Sequence, residues 1–216
     1  RHGVFNDVTM VDFVAARLGD EQSIRKAKAF PYQLLMAYQA AKQEMPVVIS
    51  EALQDALEHS LVNVPHLAGK KVVVCPDVSG SMQSPATGFR KGATTSVRCI
   101  DVAGLVAAAM LRSNPETIVL PFENGVVDIR LNGRDSVMTN AKRLANIGGG
   151  GTNCSAPLVW LNKHKTAVDV VIFVSDNESW LDNRRQGASE TMKQWAEIKR
   201  RNPQAKLVCV DIQPNT

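Results

Sequence analysis

The spacing of hydrophobic positions changes near residue 70. Before it, apolar residues recur at helical intervals: Val8, Val11, Phe13, Val14 and Leu18 share one stripe that stops at Gly19. Asp20 is placed to cap a short helix carrying Arg25, Lys26 and Lys28. Pro31 suits the first turn of a third helix, with Leu34, Leu35 and Tyr38 on its apolar face. Pro46 opens a fourth, with Ile49, Leu53, Ala56, Leu57 and Leu61. Residues 1–66 therefore read as a helical block, too short for an independent domain and expected to be the end of a larger helical array.

Beyond Asn63-Val64-Pro65, short apolar runs alternate with helical stretches. Strands are predicted over 71–75, 117–122, 168–174 and 206–212, and helices over 100–111, 135–145, 155–163 and 189–200. The stretch 100–111 is apolar nearly all round, and Gly104 within it allows close packing. Residues 126–131, after the turn pair Asn124-Gly125, read as an edge strand. Strands apolar on both faces belong inside a parallel sheet covered by helices. Residues 67–216 are thus predicted to form a three-layer α/β domain with an open, mainly parallel sheet.

Composition narrows this picture. With 216 residues, 44% of them hydrophobic, the chain can bury one good core and part of another. No apolar run approaches the roughly 18 residues of a membrane span, and no signal peptide opens the chain, so a soluble protein is expected. It begins at Arg1, so its start is expected to lie inside a longer protein. Cys75, Cys99, Cys154 and Cys209 are scattered, without a Cys-x-x-Cys pair or zinc-spaced histidines. They read as reduced thiols, which favours the cytoplasm. The net charge of +4 is too small to name nucleic acid as a partner.

The candidate chemistry lies where strands end. Asp77-Val78-Ser79-Gly80-Ser81 follows the run Val72-Val73-Val74-Cys75 directly, so three oxygen side chains leave a buried strand together. Gly148-Gly149-Gly150-Gly151-Thr152 brings a hydroxyl on a loop, and the apolar run 168–175 ends on Asp176. In an open α/β sheet, ligands collect outside the carboxyl ends of the strands. Either aspartate alone reads more readily as a turn residue or a helix cap. Taken with Ser79, Ser81 and Thr152, they form an all-oxygen set suited to a hard divalent cation such as magnesium.

Asp77-x-Ser79-x-Ser81, then Thr152, then Asp176, in this order of strands and helices, resembles the metal-ion-dependent adhesion site of von Willebrand factor A domains. The resemblance implies a Rossmann-like fold and a magnesium ion held, directly or through water, by those five residues. One coordination position would be open to an acidic group. Gly-Gly-Thr152-Asn153-Cys154-Ser155-x-Pro157-x-x-Trp160 and Asp176-Asn177-Glu178-Ser179-Trp180 are similar to stretches of the Ro ribonucleoproteins, here of bacterial type, as is the helical run 30–61. In that family a ring of paired helices, the TROVE module, is closed by the A domain. It binds small Y RNAs on its outer surface and single-stranded ends of misfolded RNAs in its hole. The resemblance implies a non-catalytic role in RNA quality control, with an acidic protein ligand or a ribonuclease as further partners. It covers essentially the whole chain, and it implies that most of the ring and the last strand and helix of the A domain lie outside it.

Catalytic readings find less support. There is no Gly-x-Ser-x-Gly elbow, and His2, His59, His66 and His164 follow no pattern. Ser79 stands where an Asp-x-Asp phosphotransferase needs its second carboxylate, and no Lys follows the glycines as a P-loop requires. Metal-assisted hydrolysis is the remaining enzymatic alternative. A protein-interaction A domain, whose partner supplies a carboxylate to magnesium, is the alternative to RNA binding. For RNA, Arg90, Lys91 and Arg98 leave the sheet at the cation edge, and Arg184 and Arg185 follow Asp176. Each is otherwise a solvated surface cation. Trp180 is the tryptophan placed to stack on a base, whereas Trp160 and Trp195 read as core.

Overall fold

Capping explains where the first helices begin and end in the computed structural model, which describes residues 4–41, 45–87, 97–176 and 187–213. The Asp7 carboxylate accepts from the Thr9 N–H at the start of α1 (Val8–Gly19). Asp20 ends that helix and caps α2 (Glu21–Ala27) by accepting from Ser23 N–H at 3.0 Å. Proline opens α3 (Pro31–Ala41) and immediately precedes α4 (Val47–His59). On α4 the buried residues are Ile49, Ala52, Leu53, Ala56 and Leu57, a stripe at helical spacing that packs against α1 and α3.

The remaining elements are β1 (Val72–Pro76), α5 (Cys99–Ser113), β2 (Ile118–Val119), α6 (Val137–Ala145), α7 (Ala156–Lys163), β3 (Val170–Ser175), α8 (Gly187–Arg201) and β4 (Lys206–Asp211). The four strands form one sheet in the order β2-β1-β3-β4, with every pairing parallel. Strand β1 is buried throughout, and its side chains alternate between two cores. Val72 and Val74 join Ile100, Leu105 and Leu144 on the α5–α6 face. Val73 and Cys75 join Phe122, Leu158, Phe173 and Ile198 on the α7–α8 face. There the Phe122 and Phe173 rings meet edge to face with centroids 5.5 Å apart, worth about 1 kcal/mol beyond their buried area. Gly104 lets α5 lie tight on α6, because a Cβ there would stand 2.8 Å from the Ala141 carbonyl oxygen.

The first core does not stop at the sheet. Ile49, Leu53 and Leu57 of α4 belong to the same cluster as Val74 and Ile100. A polar clasp reinforces the contact: the Glu58 carboxylate accepts from Val137 N–H at 2.8 Å, at the start of α6, and lies 3.6 Å from Arg112 Nε.

Two strand expectations differ from what forms. The ladder expected over 117–122 is confined to Ile118–Val119, although Leu120 and Phe122 still donate to the Val74 and Pro76 carbonyls. Pro121 between them has no N–H to offer a neighbour. Residues 126–131 keep the alternation of a strand, with Val127, Ile129 and Leu131 half-buried against the first core. Among the described residues they pair only at the Phe122–Val126 bridge and through Val127 N–H to the Pro121 carbonyl. An edge strand needs a ladder to join, and two residues of β2 do not supply one. No helix among the described residues is long and apolar enough to cross a membrane.

Candidate functional site

All strands are parallel, so their carboxyl ends share one edge. Asp77 leaves β1 there and Asp176 leaves the adjacent β3. The Asp77 loop is clamped on both sides: Asp77 N–H donates to the Val174 carbonyl and Val78 N–H to that of Phe122, each at 2.9 Å. Asp77 is fully buried, and each carboxylate oxygen accepts a hydrogen bond. Oδ1 takes the Ser79 N–H at 2.9 Å, and Oδ2 takes the Ser175 hydroxyl at 2.6 Å. Burial pushes the Asp77 carboxyl above its ordinary range, the Ser175 and Ser79 bonds pull it back, and the charge of Asp176 raises it further. Asp176 likewise raises Asp211, at the end of β4, though burial contributes more there. With burial leading, the charges of Asp176, Asp101 and Asp77 push the Cys99 thiol up to about 12. Negative charge therefore accumulates at this edge.

Ser79 is buried and Ser81 half-buried, and their Oγ atoms lie 3.2 Å apart. The glycine loop approaches through its backbone. Gly80 N–H donates to the Gly150 carbonyl at 2.9 Å, tying two loops that are remote in sequence. Gly148 has φ +118°, and a Cβ on it would fall 2.1 Å from the Val78 carbonyl oxygen, so this crossing admits no side chain. Thr152, half-buried, is held from both sides. Before it, Gly150 N–H donates to Glu123 Oε2 at 2.9 Å and Gly151 N–H to Asn124 Oδ1 at 3.1 Å; after it, Asn153 N–H donates to the Glu123 carbonyl at 2.8 Å. Asp176 is buried, and its N–H points at Met82 Sδ at 3.2 Å.

Sequence reasoning missed three of these supports. Ser175 binds Asp77, and its only signal was a hydroxyl closing an otherwise apolar strand. Glu123 and Asn124 hold the glycine loop from 27 positions away, where Asn124 had read simply as half of a turn. Of the cations proposed to meet RNA, Arg98 caps α5: its guanidinium reaches Asp101 at 2.8 Å and Gln83 at 2.6 Å. Arg90, Lys91, Arg184 and Arg185 lie outside the described residues, as do Asn177, Glu178 and Trp180. Trp160 and Trp195 are partly buried against the second core.

The donor set suits a small hard cation. It offers two carboxylates and hydroxyls, with no nitrogen or sulfur ligand among Asp77, Ser79, Ser81, Thr152 and Asp176. Octahedral magnesium, with bonds of about 2.1 Å, spaces neighbouring oxygens about 3 Å apart. The 3.2 Å between the two serine hydroxyls is close to that edge. Two buried carboxylates brought to one sheet edge, the charge of one raising the proton affinity of Asp77, are what a cation would relieve.

The family described as Ro60 vWA domain matches residues 71–215. A protein of Deinococcus radiodurans named RNA-binding protein RO60 is 26% identical over 196 residues, covering 81% of this chain and 34% of its own. One of Caenorhabditis elegans with the same name is 24% identical over 184 residues, covering 81% and 28%. The crystal structure of the Deinococcus radiodurans RO (RSR) protein superimposes with a TM-score of 0.71 at 22% identity, covering 94% of this chain and 41% of that one. The chain thus spans about a third of the length of the curated relatives it matches.

Proposed function

The chain belongs to the Ro60 vWA domain family, and on that premise we propose that it is a non-catalytic RNA-binding protein of the Ro type with a magnesium site at the Asp77 loop. Its ligands are small Y RNAs and the single-stranded ends of misfolded RNAs, in cytoplasmic RNA quality control. The names of the two relatives, both RNA-binding proteins, support the RNA part of this reading. The observation that carries the cation part is the arrival of two buried carboxylates, Asp77 and Asp176, at the carboxyl ends of adjacent parallel strands.

Each residue has a role in this reading. Ser175 and the Ser79 N–H fix the Asp77 carboxylate, so it needs little reorganisation to meet a ligand. Ser79, Ser81 and Thr152 present hydroxyls on loops joined by the Gly80–Gly150 bond. Asp77, Ser79, Ser81, Thr152 and Asp176 would hold the ion directly or through water. When bound, magnesium supplies positive charge and an exchangeable position for an acidic oxygen, here a phosphate of RNA. Of the histidines, His66 and His164 bond to the Ser113 and Trp160 carbonyls at the ends of α5 and α7.

The test is filter binding of the whole protein to structured RNA with a single-stranded 3′ tail, titrated across salt. Affinity that falls linearly with salt on a log–log scale is expected. Affinity indifferent to salt, with binding instead to acidic proteins, would favour the protein-interaction reading. The same RNA incubated with protein and magnesium should stay intact, and cleavage would establish a hydrolase.

A further inference from the structure

The opposite edge of the sheet has the opposite charge. Lys70 and Lys71 precede β1, Lys206 opens β4, Lys165 follows α7 and Arg201 closes α8. A parallel sheet gathers all of these at the amino ends of its strands. Between them lies a cleft of ≈ 250 Å³ lined by Lys71, Lys165, Thr166, Asp169, Arg201 and Asn202, with Ile198 and Val168 beneath. Its one carboxylate is already engaged. Asp169 accepts from Lys71 N–H at 2.8 Å and from Asn202 Nδ2 at 3.2 Å, and these bonds, with the charges of Lys70 and Lys71, hold its carboxyl below the ordinary range. Among the described residues, no carboxylate forms an ion pair with Lys71 or Lys165. Arg201 lies 3.9 Å from Glu197, which Arg200 binds more closely at 2.6 Å.

The bland account is that cations gather at helix carboxyl ends. That covers Arg201 and, less well, Lys165. It does not cover Lys70, Lys71 and Lys206, which stand at strand starts where the backbone has almost no net dipole. Lys165 moreover takes φ +50°, a left-handed position where glycine or asparagine is usual. Beside it is an aromatic platform: the Trp160 and His164 rings stack with centroids 4.0 Å apart and planes 27° from parallel. His164 is exposed, and its Nδ1 is anchored 2.8 Å from the Trp160 carbonyl oxygen.

A cationic cleft flanked by a fixed aromatic face is the combination that binds unpaired nucleic acid, with phosphates in the groove and bases on the ring. We propose that the amino edge of the sheet is a magnesium-independent site for single-stranded RNA. It holds phosphate between Lys71, Lys165 and Arg201 and stacks one base on the outer face of His164. This inference rests on the RNA-binding reading but not on the Asp77 loop, which is at the other edge.

Fluorescence anisotropy of a labelled 12-nucleotide oligouridylate with the whole protein in EDTA tests it. Replacing the three cations together (Lys71→Gln, Lys165→Gln, Arg201→Gln) should weaken binding about tenfold and flatten the log–log salt slope by about 2. His164→Ala should cost about fivefold with the slope unchanged. Circular dichroism melts of both variants check that the fold is retained, and heparin serves as a polyanion without bases. If unmodified protein binds the RNA and both variants bind equally well, the amino-edge site is wrong while RNA binding by the protein stands. If the cation variant loses heparin and RNA alike and His164→Ala loses neither, the edge recognises acidic polymers generally and the proposal fails. If the unmodified protein binds no RNA, the RNA-binding reading falls, and this site with it.

Discussion

Replacing Asp77 by asparagine separates the cost of burying this carboxylate from its use. Asparagine has the same shape and can still accept from Ser79 N–H through Oδ1. Its Nδ2 would face Ser175 Oγ, which can accept while donating to the Asp176 carbonyl 3.0 Å away. The charge whose burial and whose repulsion from Asp176 raise its proton affinity is gone. Without divalent ions, Asp77→Asn should therefore be as stable as the parent or slightly more so. In magnesium the order reverses. A ligand that binds only the folded state at a hundred times its dissociation constant adds about 2.7 kcal/mol, which for a chain of this size raises Tm by about 5–10 °C. Differential scanning calorimetry of both proteins, in EDTA and in saturating magnesium, measures all four states. The parent should gain those degrees and the variant none. An equal magnesium-dependent rise in the variant would refute the assignment of Asp77, and a large loss of stability in EDTA would refute the charge argument.

Other predictions follow from specific contacts. Gly148→Ala would set a Cβ 2.1 Å from the Val78 oxygen at φ +118°. It should cost about 3 kcal/mol or more in urea unfolding, and an unchanged midpoint would show that the loop crossing is not rigid. Glu58→Ala removes the acceptor for Val137 N–H and the partner of Arg112. Because Glu58 is partly solvated, the loss should be about 1 kcal/mol by the same assay, with calorimetric magnesium affinity unaltered. Asp169 is held below its ordinary range chiefly by the Lys71 N–H, so its contribution is present above the unfolded-state value and disappears as pH falls through the lower folded-state value. Asp169→Asn should remove that part of the acid limb in a pH series of urea midpoints, and superimposable acid limbs would refute it.

The fold was largely legible because the chain states its periods clearly. Strand β1 is two-sided apolar and lies inside a parallel sheet, and Gly104 sits where α5 and α6 touch. The strand expected over 126–131 failed for a reason that hydropathy does not record. Its alternation is real, but Pro121 and the brevity of β2 leave it without a ladder. At the candidate site, Asp77 and Asp176 could be placed at strand ends from sequence, because parallel strands send their following loops to a common edge. The parts that brace them could not. Ser175 and Glu123 act through contacts 98 and 27 residues apart, and no local spacing encodes such distances. The basic edge was hidden for the same reason, since Lys71, Lys165 and Arg201 come together only once the sheet forms.

The Gly80–Gly150 bond and the passage of Gly148 against Val78 involve only main-chain atoms and absent side chains. The geometry of this crossing is thus set without the side chains at the half-buried positions 81 and 152, whereas Ser79 is buried. At those two positions descendants of such a sequence can exchange one polar side chain for another without disturbing the scaffold that displays them. Selection is free to retune or retire ligand preference here at little cost to folding.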